Sequence, residues 1–194
     1  MNYISETEVR RIVQSVIQQT SGLQKTKPSP ADAAVPGAVN TAIKVIAIGC
    51  DHGGFDVKRM LIPFLSEMGH QLIDCGTNST KSVDYPDFAY AVADKIRSGE
   101  ACCGIVIDGA GIGSCMAANK VPGVRAAMCY DYATAKNSRE HNDANVLSLG
   151  AGLLGVNQIK TIVKTWLEEP FGGGRHAKRV NKIMEIEKRF FKES

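Results

Sequence analysis

Several features that would settle the class of this 194-residue chain are missing. No apolar run approaches the ~18–20 residues of a membrane span. The start, MNYISETEVRR, lacks the basic-then-apolar order of a secretory signal. Both absences point to a cytoplasmic protein. Formal net charge is only +3, with 22% charged residues, too small and scattered an excess for a nucleic-acid surface. The six cysteines, at 50, 75, 102, 103, 115 and 129, include no C-x-x-C pair. Each lies in or beside an apolar run, so they read as reduced, buried core residues. No pair of His, Cys, Asp or Glu has the helical spacing of a zinc motif, so no metal is expected.

What is present divides into three segments. Residues 1–20 place Val9, Ile12, Val13, Val16 and Ile17 at helical spacing, with Ser5 and Glu8 as a capping box. This is a short amphipathic helix. Residues 21–42 hold three prolines among small residues and read as a flexible linker. Residues 43–194 alternate strand and helix patterns, enough for one domain with its own core. Strands are expected at 43–49, 71–76, 104–108, 124–129 and 145–150. Helices are expected at 54–68, 85–99, from about 113 to 120, and at 131–140, 156–168 and 176–192. Pro86 lies in the first turn of one helix and Gly99 closes it. The pattern predicts an α/β fold, a three-layer αβα sandwich around a five-stranded parallel, Rossmann-like sheet.

Ligands in such sheets bind outside the carboxyl ends of the strands. Polar residues gather at strand boundaries, and one shared sheet edge is expected for them. GCDHGG supplies Asp51 and His52, and the stretch after the second strand supplies Asp84 and Tyr85. VIDGAGIGS carries Asp108 and the run Gly109, Ala110, Gly111, Ile112 and Gly113. SREHNDAN supplies His141 and Asn142, and FGGGRHAKRV supplies Arg175, His176 and Arg179. The glycines do not make a dinucleotide fingerprint. They follow the third strand rather than the first, and Ser114 stands where the last glycine belongs.

These parts suit a small anionic substrate. The two arginines, four apart on one helix, can face one phosphate. A histidine suits acid–base work near neutrality. Backbone N–H groups of 109–113 can hold a developing oxyanion. Asp108, with a pKa expected to be raised by burial, is the candidate base that takes a proton from carbon.

IAIGCDHGGF, DYPDFA, GAGIGSCMAANKVPGVRAA, SREHNDANVLSLG and GGGRHAKRV, in that order, resemble the ribose-5-phosphate isomerase B and galactose-6-phosphate isomerase family over about residues 43–190. The resemblance implies cofactor-free aldose–ketose isomerisation of a phosphorylated sugar through an enediolate. It also implies a homodimer, often paired into tetramers, with sites at the dimer interface. By the same resemblance His141 opens the sugar ring, while Asn142 and the 109–113 amides hold the enediolate. Asp51, His52 and Tyr85 are placed at the substrate, and Arg175 and Arg179 bind phosphate with His176 beside them.

Three positions depart from the family. Asp108 stands where many relatives have a cysteine base, Ala110 where they have threonine, and Gly152 where they often have arginine. An aspartate in the first position is similar to one subunit type of galactose-6-phosphate isomerase. Asp108 is then either a replacement base for a different sugar phosphate, or a mark of lost or shared catalysis. The N-terminal helix and linker resemble the encapsulation peptides of bacterial microcompartments, which implies a shell-protein partner for residues 1–20. The alternative is a helix packed on its own domain.

Overall fold

The computed structural model describes residues 43–190; the expected helix at 1–20 and linker at 21–42 lie outside the described residues. The strands are β1 (Val45–Cys50), β2 (Gln71–Asp74), β3 (Cys103–Asp108), β4 (Ala126–Met128) and β5 (Val146–Gly150). The helices are α1 (Phe55–Glu67), α2 (Tyr85–Arg97), α3 (Ile112–Ala118), α4 (Tyr132–Glu140), α5 (Val156–Glu168) and α6 (Gly174–Phe190), with a short 3-10 turn at His52–Gly54. All strand pairs are parallel, in the order β2-β1-β3-β5-β4. The expected five-stranded α/β architecture is present. Among the described residues no helix is long and apolar enough to cross a membrane.

Strand periodicity divides the core into two. Ile46, Ile48, Ile105, Ile107, Leu147 and Leu149 face one side, against Leu61 and Leu65 of α1 and Ile159, Ile162, Val163 and Trp166 of α5. Ala47, Val106 and Val146 face the other, against Ala89, Val92 and Ala93 of α2 and Ala118 of α3. The second face is built from smaller residues because α2 lies close to the sheet. A Cβ at Gly49 or Gly104 would come within 2.8 or 2.5 Å of Val92.

Two strands are shorter than expected. β2 stops at Asp74, whose carboxylate accepts the Gly76 N–H at 2.9 Å while Gly76 takes φ +96°. β4 loses its first residues because the Arg125 N–H goes to the Asn145 side chain at 2.7 Å. β1 runs two residues later at its start and one later at its end, and α6 begins at Gly174 rather than 176. The cysteines are all free thiols, but Cys102 is exposed, which corrects the expectation of six buried residues.

Candidate active site

β3 ends at Asp108, and the glycine loop that follows lies across the end of β5. The turn is possible because Gly111 has φ +79°. It is close because a Cβ at Gly150 would meet the Ala110 carbonyl at 2.6 Å. Both kinds of loop polar group are held. Ser148 Oγ donates to the Gly111 carbonyl at 2.6 Å, and Tyr130 Oη to the Ala110 carbonyl at 3.2 Å. On the amide side the acceptor is Asp108 itself. Its Oδ1 takes the N–H of Ala110 at 2.8 Å and that of Gly111, and its Oδ2 takes the N–H of Ser114 at 2.9 Å.

Asp108 is therefore the anion that this loop already holds. Asp108 as a whole is 4% exposed. Burial pushes its pKa up, but the Ser114 hydroxyl and the amides of Ser114, Gly111 and Ala110 outweigh burial and hold it below the ordinary 3.8. This corrects the expected rise. The reason is local: a loop that turns into a helix start supplies N–H donors to the nearest carboxylate. The same bonds engage two of the amides, Ala110 and Gly111, that were expected to serve an enediolate.

The neighbouring residues stand at the same edge. Asp51 follows β1, with its N–H on the Ile107 carbonyl at 3.1 Å. Its Oδ1 caps the 3-10 turn by accepting the Gly54 N–H at 3.0 Å. His52 is exposed, with Nδ1 3.3 Å from the Val83 backbone. Tyr85 opens α2 and lies over Gly113, where a Cβ would sit 2.5 Å from the ring. Gly113 thus serves the approach of Tyr85. At Gly152 a Cβ would reach the Gly109 carbonyl at 3.0 Å.

A second cluster forms where α4 ends and α6 begins. The Gly172 N–H bonds the Glu140 carbonyl at 2.8 Å and ties the two elements together. The rings of His141 and His176 stack with centroids 4.1 Å apart and planes 7° from parallel. Asn142 Nδ2 donates to Asn137 Oδ1 at 3.2 Å, which turns the Asn137 amide nitrogen toward His141 Nδ1 at 2.8 Å. The His141 hydrogen therefore sits on Nε2. Arg175 Nε donates to His176 Nε2 at 3.4 Å, leaving the His176 hydrogen on Nδ1, which is buried and without a partner. Burial, then His141, Arg175 and Arg179, lower the His176 pKa below 6.5, so the ring is neutral near pH 7.

The two clusters do not share an edge of the sheet. β5 starts at Val146 beside Gly104 near the start of β3, and it ends at Gly150 beside Asp108. His141 and Asn142 precede β5, so they lie toward its amino end. Arg175, His176 and Arg179 are beside them. The expectation of one shared edge is corrected. A crossover helix runs back antiparallel to the strands it joins, so residues before a strand face the opposite edge from residues after one. The length of a five- to six-residue strand, roughly 15 Å, separates the two clusters along the sheet.

Asn137, Ser148 and Tyr130 support the site and were not singled out from the sequence. Ser148, 0% exposed inside the apolar run VLSLG, was the available signal: a buried hydroxyl needs a partner. Among the described residues no three His, Cys, Asp or Glu side chains converge as a metal ion would require.

Residues 46–183 match the family model described as Ribose/Galactose Isomerase. The chain is 45% identical to ribose-5-phosphate isomerase B of Escherichia coli over 147 residues, covering 76% of this chain and 99% of that one. It is 40% identical to D-erythrulose-4-phosphate isomerase of Pectobacterium atrosepticum over 139 residues, 71% and 91% of the two chains. The solved structure of Clostridium thermocellum ribose-5-phosphate isomerase B superposes with a TM-score of 0.75 at 53% identity, over 76% of this chain and 99% of that one.

Proposed function

The chain belongs to the ribose/galactose isomerase family and is a sugar-phosphate isomerase acting through an enediolate; from that premise we propose that it interconverts the aldose and ketose forms of a small phosphorylated sugar in a site shared between two copies of itself. Ribose 5-phosphate and ribulose 5-phosphate, or a related four- to six-carbon sugar phosphate, are the substrates this reading names. The observation that carries the shared site is the separation of the clusters. A sugar phosphate bound at Asp108 meets the His141 and Arg175 cluster only if a second chain presents it. Helix α6 supports this. Only His176 and Val180 are buried in it, while Ile183, Ile186 and Phe190 are exposed on one face. A cleft of about 460 Å³ lies beside it, lined by Val124, Ala126, Ile183 and Ile186 among others.

In this reading Arg175 and Arg179 hold the phosphate, with His176 beside them. His141, with its hydrogen on Nε2, opens the sugar ring. Asp51, His52 and Tyr85 line the sugar. Asp108 accepts the proton from carbon, and electrons of the broken C–H bond pass into the enediolate. Its low pKa keeps it ionised and ready, at the cost of weak basicity. The Gly109, Ile112 and Gly113 amides, with Asn142, hold the enediolate oxygens. No cofactor enters any step.

The N-terminal segment is read as a targeting helix that docks on a microcompartment shell protein, placing the enzyme in that lumen. The purified protein, assayed by NMR against a panel of aldose and ketose phosphates, tests the activity. Interconversion of at least one pair is expected. No turnover on any tetrose, pentose or hexose phosphate would favour a partner-dependent subunit or a sugar-phosphate-binding scaffold.

A further inference from the structure

The amino edge of the sheet carries a pair of side chains that the isomerase chemistry leaves unused. Cys102 and Cys103 stand at the start of β3, and their Sγ atoms are 3.8 Å apart. Cys102 is exposed and Cys103 is 6% exposed. Lys44, just before β1, lies within electrostatic reach of both sulfurs and anchors its ammonium on the Leu167 carbonyl. Arg139 adds a second positive charge near Cys103. A thiol that is exposed, beside a second thiol and near cations, has the surroundings in which thiolates form and react.

The other thiols differ. Burial pushes Cys50 and Cys129 up to about 11 and raises Cys75 and Cys115. Cys103 is raised by its hydrogen bond with Cys102 and by burial, while the same bond and Lys44 lower Cys102. The asymmetry favours loss of the proton from the exposed sulfur, which lies 3.8 Å from Cys103 Sγ and 3.3 Å from the Val45 carbonyl.

We propose that Cys102 and Cys103 form a vicinal dithiol site for thiophilic electrophiles, with Cys102 as the attacking sulfur and Cys103 as the second ligand. With an alkyl iodide, the Cys102 thiolate forms an S–C bond and iodide leaves with the C–I pair. With a trivalent arsenical oxide, two As–S bonds replace the As–O bonding, and the Cys103 proton together with one proton from solvent leaves with the oxygen as water. Neither step changes an oxidation state on sulfur, so no oxidant is required. The site stands independently of the reading of the isomerase centre.

The full-length protein is treated with limiting iodoacetamide at pH 7, and each cysteine peptide is quantified by mass spectrometry. Cys102 is expected to react about tenfold faster than any other cysteine. One equivalent of phenylarsine oxide, added first, should block that labelling. Cys102→Ser should lose retention of the arsenical while keeping its isomerase turnover. Cys103→Ala should keep labelling at Cys102 but lose its protection by the arsenical. Cys103 is buried, so this second variant is read only where circular dichroism matches the parent; the exposed Cys102→Ser carries the test otherwise. Equal labelling at Cys75 or Cys115, or arsenical retention undiminished in Cys102→Ser, overturns the proposal.

Discussion

Replacing Asp108 by asparagine separates the amide cap seen in the structure from the base proposed for the same carboxylate. The amide oxygen of Asp108→Asn can still accept the N–H groups of Ala110 and Gly111, which now converge on Oδ1. The amide nitrogen cannot accept from Ser114, whose N–H is now bonded at 2.9 Å. One buried donor is left unpaired, at a cost of about 1–3 kcal/mol. For a domain of this size, the melting temperature should fall by about 2–4 °C for each kcal/mol lost. The fold should survive, because Tyr130 and Ser148 still hold the loop carbonyls. Turnover should fall much further. Removing the base from a proton transfer costs about 10²–10⁴ in rate, equivalent to about 3–5 kcal/mol of barrier. Calorimetry and a kcat measurement on the true substrate, made on the same sample, check both figures. A variant that melts a few degrees lower yet keeps near-normal kcat would refute the base and leave Asp108 as a cap alone. Asp108→Cys adds a contrast: a gain in ribose 5-phosphate turnover would mean that this site drifted from that activity. Acid titration gives a further reading. A carboxyl with a pKa depressed in the folded state adds stability that is full above its unfolded value, about 3.9. That contribution is lost as pH falls through the lower folded value, so Asp108→Asn should flatten stability against pH below about 4.

Other consequences of the structure are open to measurement. Arg175→Ala with Arg179→Ala should raise KM much more than it lowers kcat, and inorganic phosphate should compete with substrate in the parent; an unchanged KM would place the anion elsewhere. Subunits of that double variant, unfolded and refolded in equal amounts with Asp108→Asn subunits, should regain about a quarter of parental turnover, since half of the dimers are mixed and each holds one intact site; no recovery, with mixed dimers seen by native mass spectrometry, would mean that each chain completes its own site. Asp74→Asn should destabilise the domain by about 1–3 kcal/mol in urea, because it removes the charge that faces a lysine buried in α1; Lys58 is 1% exposed and 2.5 Å from Asp74, whose own side chain is 41% exposed. Deleting residues 1–42 should leave turnover and dimerisation unchanged, and fusing 1–24 to a fluorescent protein should bring it into compartments when shell proteins are co-expressed; diffuse fluorescence, or a truncated enzyme that unfolds, would support a helix packed on its own domain.

The fold was readable because parallel strands buried on both faces leave a signal that local context does not disturb. GIVID and NVLSLG could be little else, and Pro86 and Gly99 bracketed α2 to within two residues. β2 and β4 were overestimated because a side chain, Asp74 in one case and Asn145 in the other, captured the backbone donor next to the strand. No periodicity reports that competition. The residue types of the candidate site were also legible as candidates. A strand ending in an aspartate, followed by glycines and a small helix, has few uses. The helpers Tyr130 and Asn137 were not, because their value lies in a partner distant in sequence or in the rotation of an amide.

By itself the sequence determined the five-stranded α/β plan and offered the candidate side chains for a sugar phosphate. These follow from local periodicity and composition. The tertiary structure decided how those side chains are divided. It turned the glycine-loop amides onto Asp108 and so reversed the direction of its pKa, because donor geometry in a turn outweighs burial. It also sent His141 and Arg175 to the opposite edge of the sheet from Asp108, because a crossover helix must run back the length of the strand before the next parallel strand can begin.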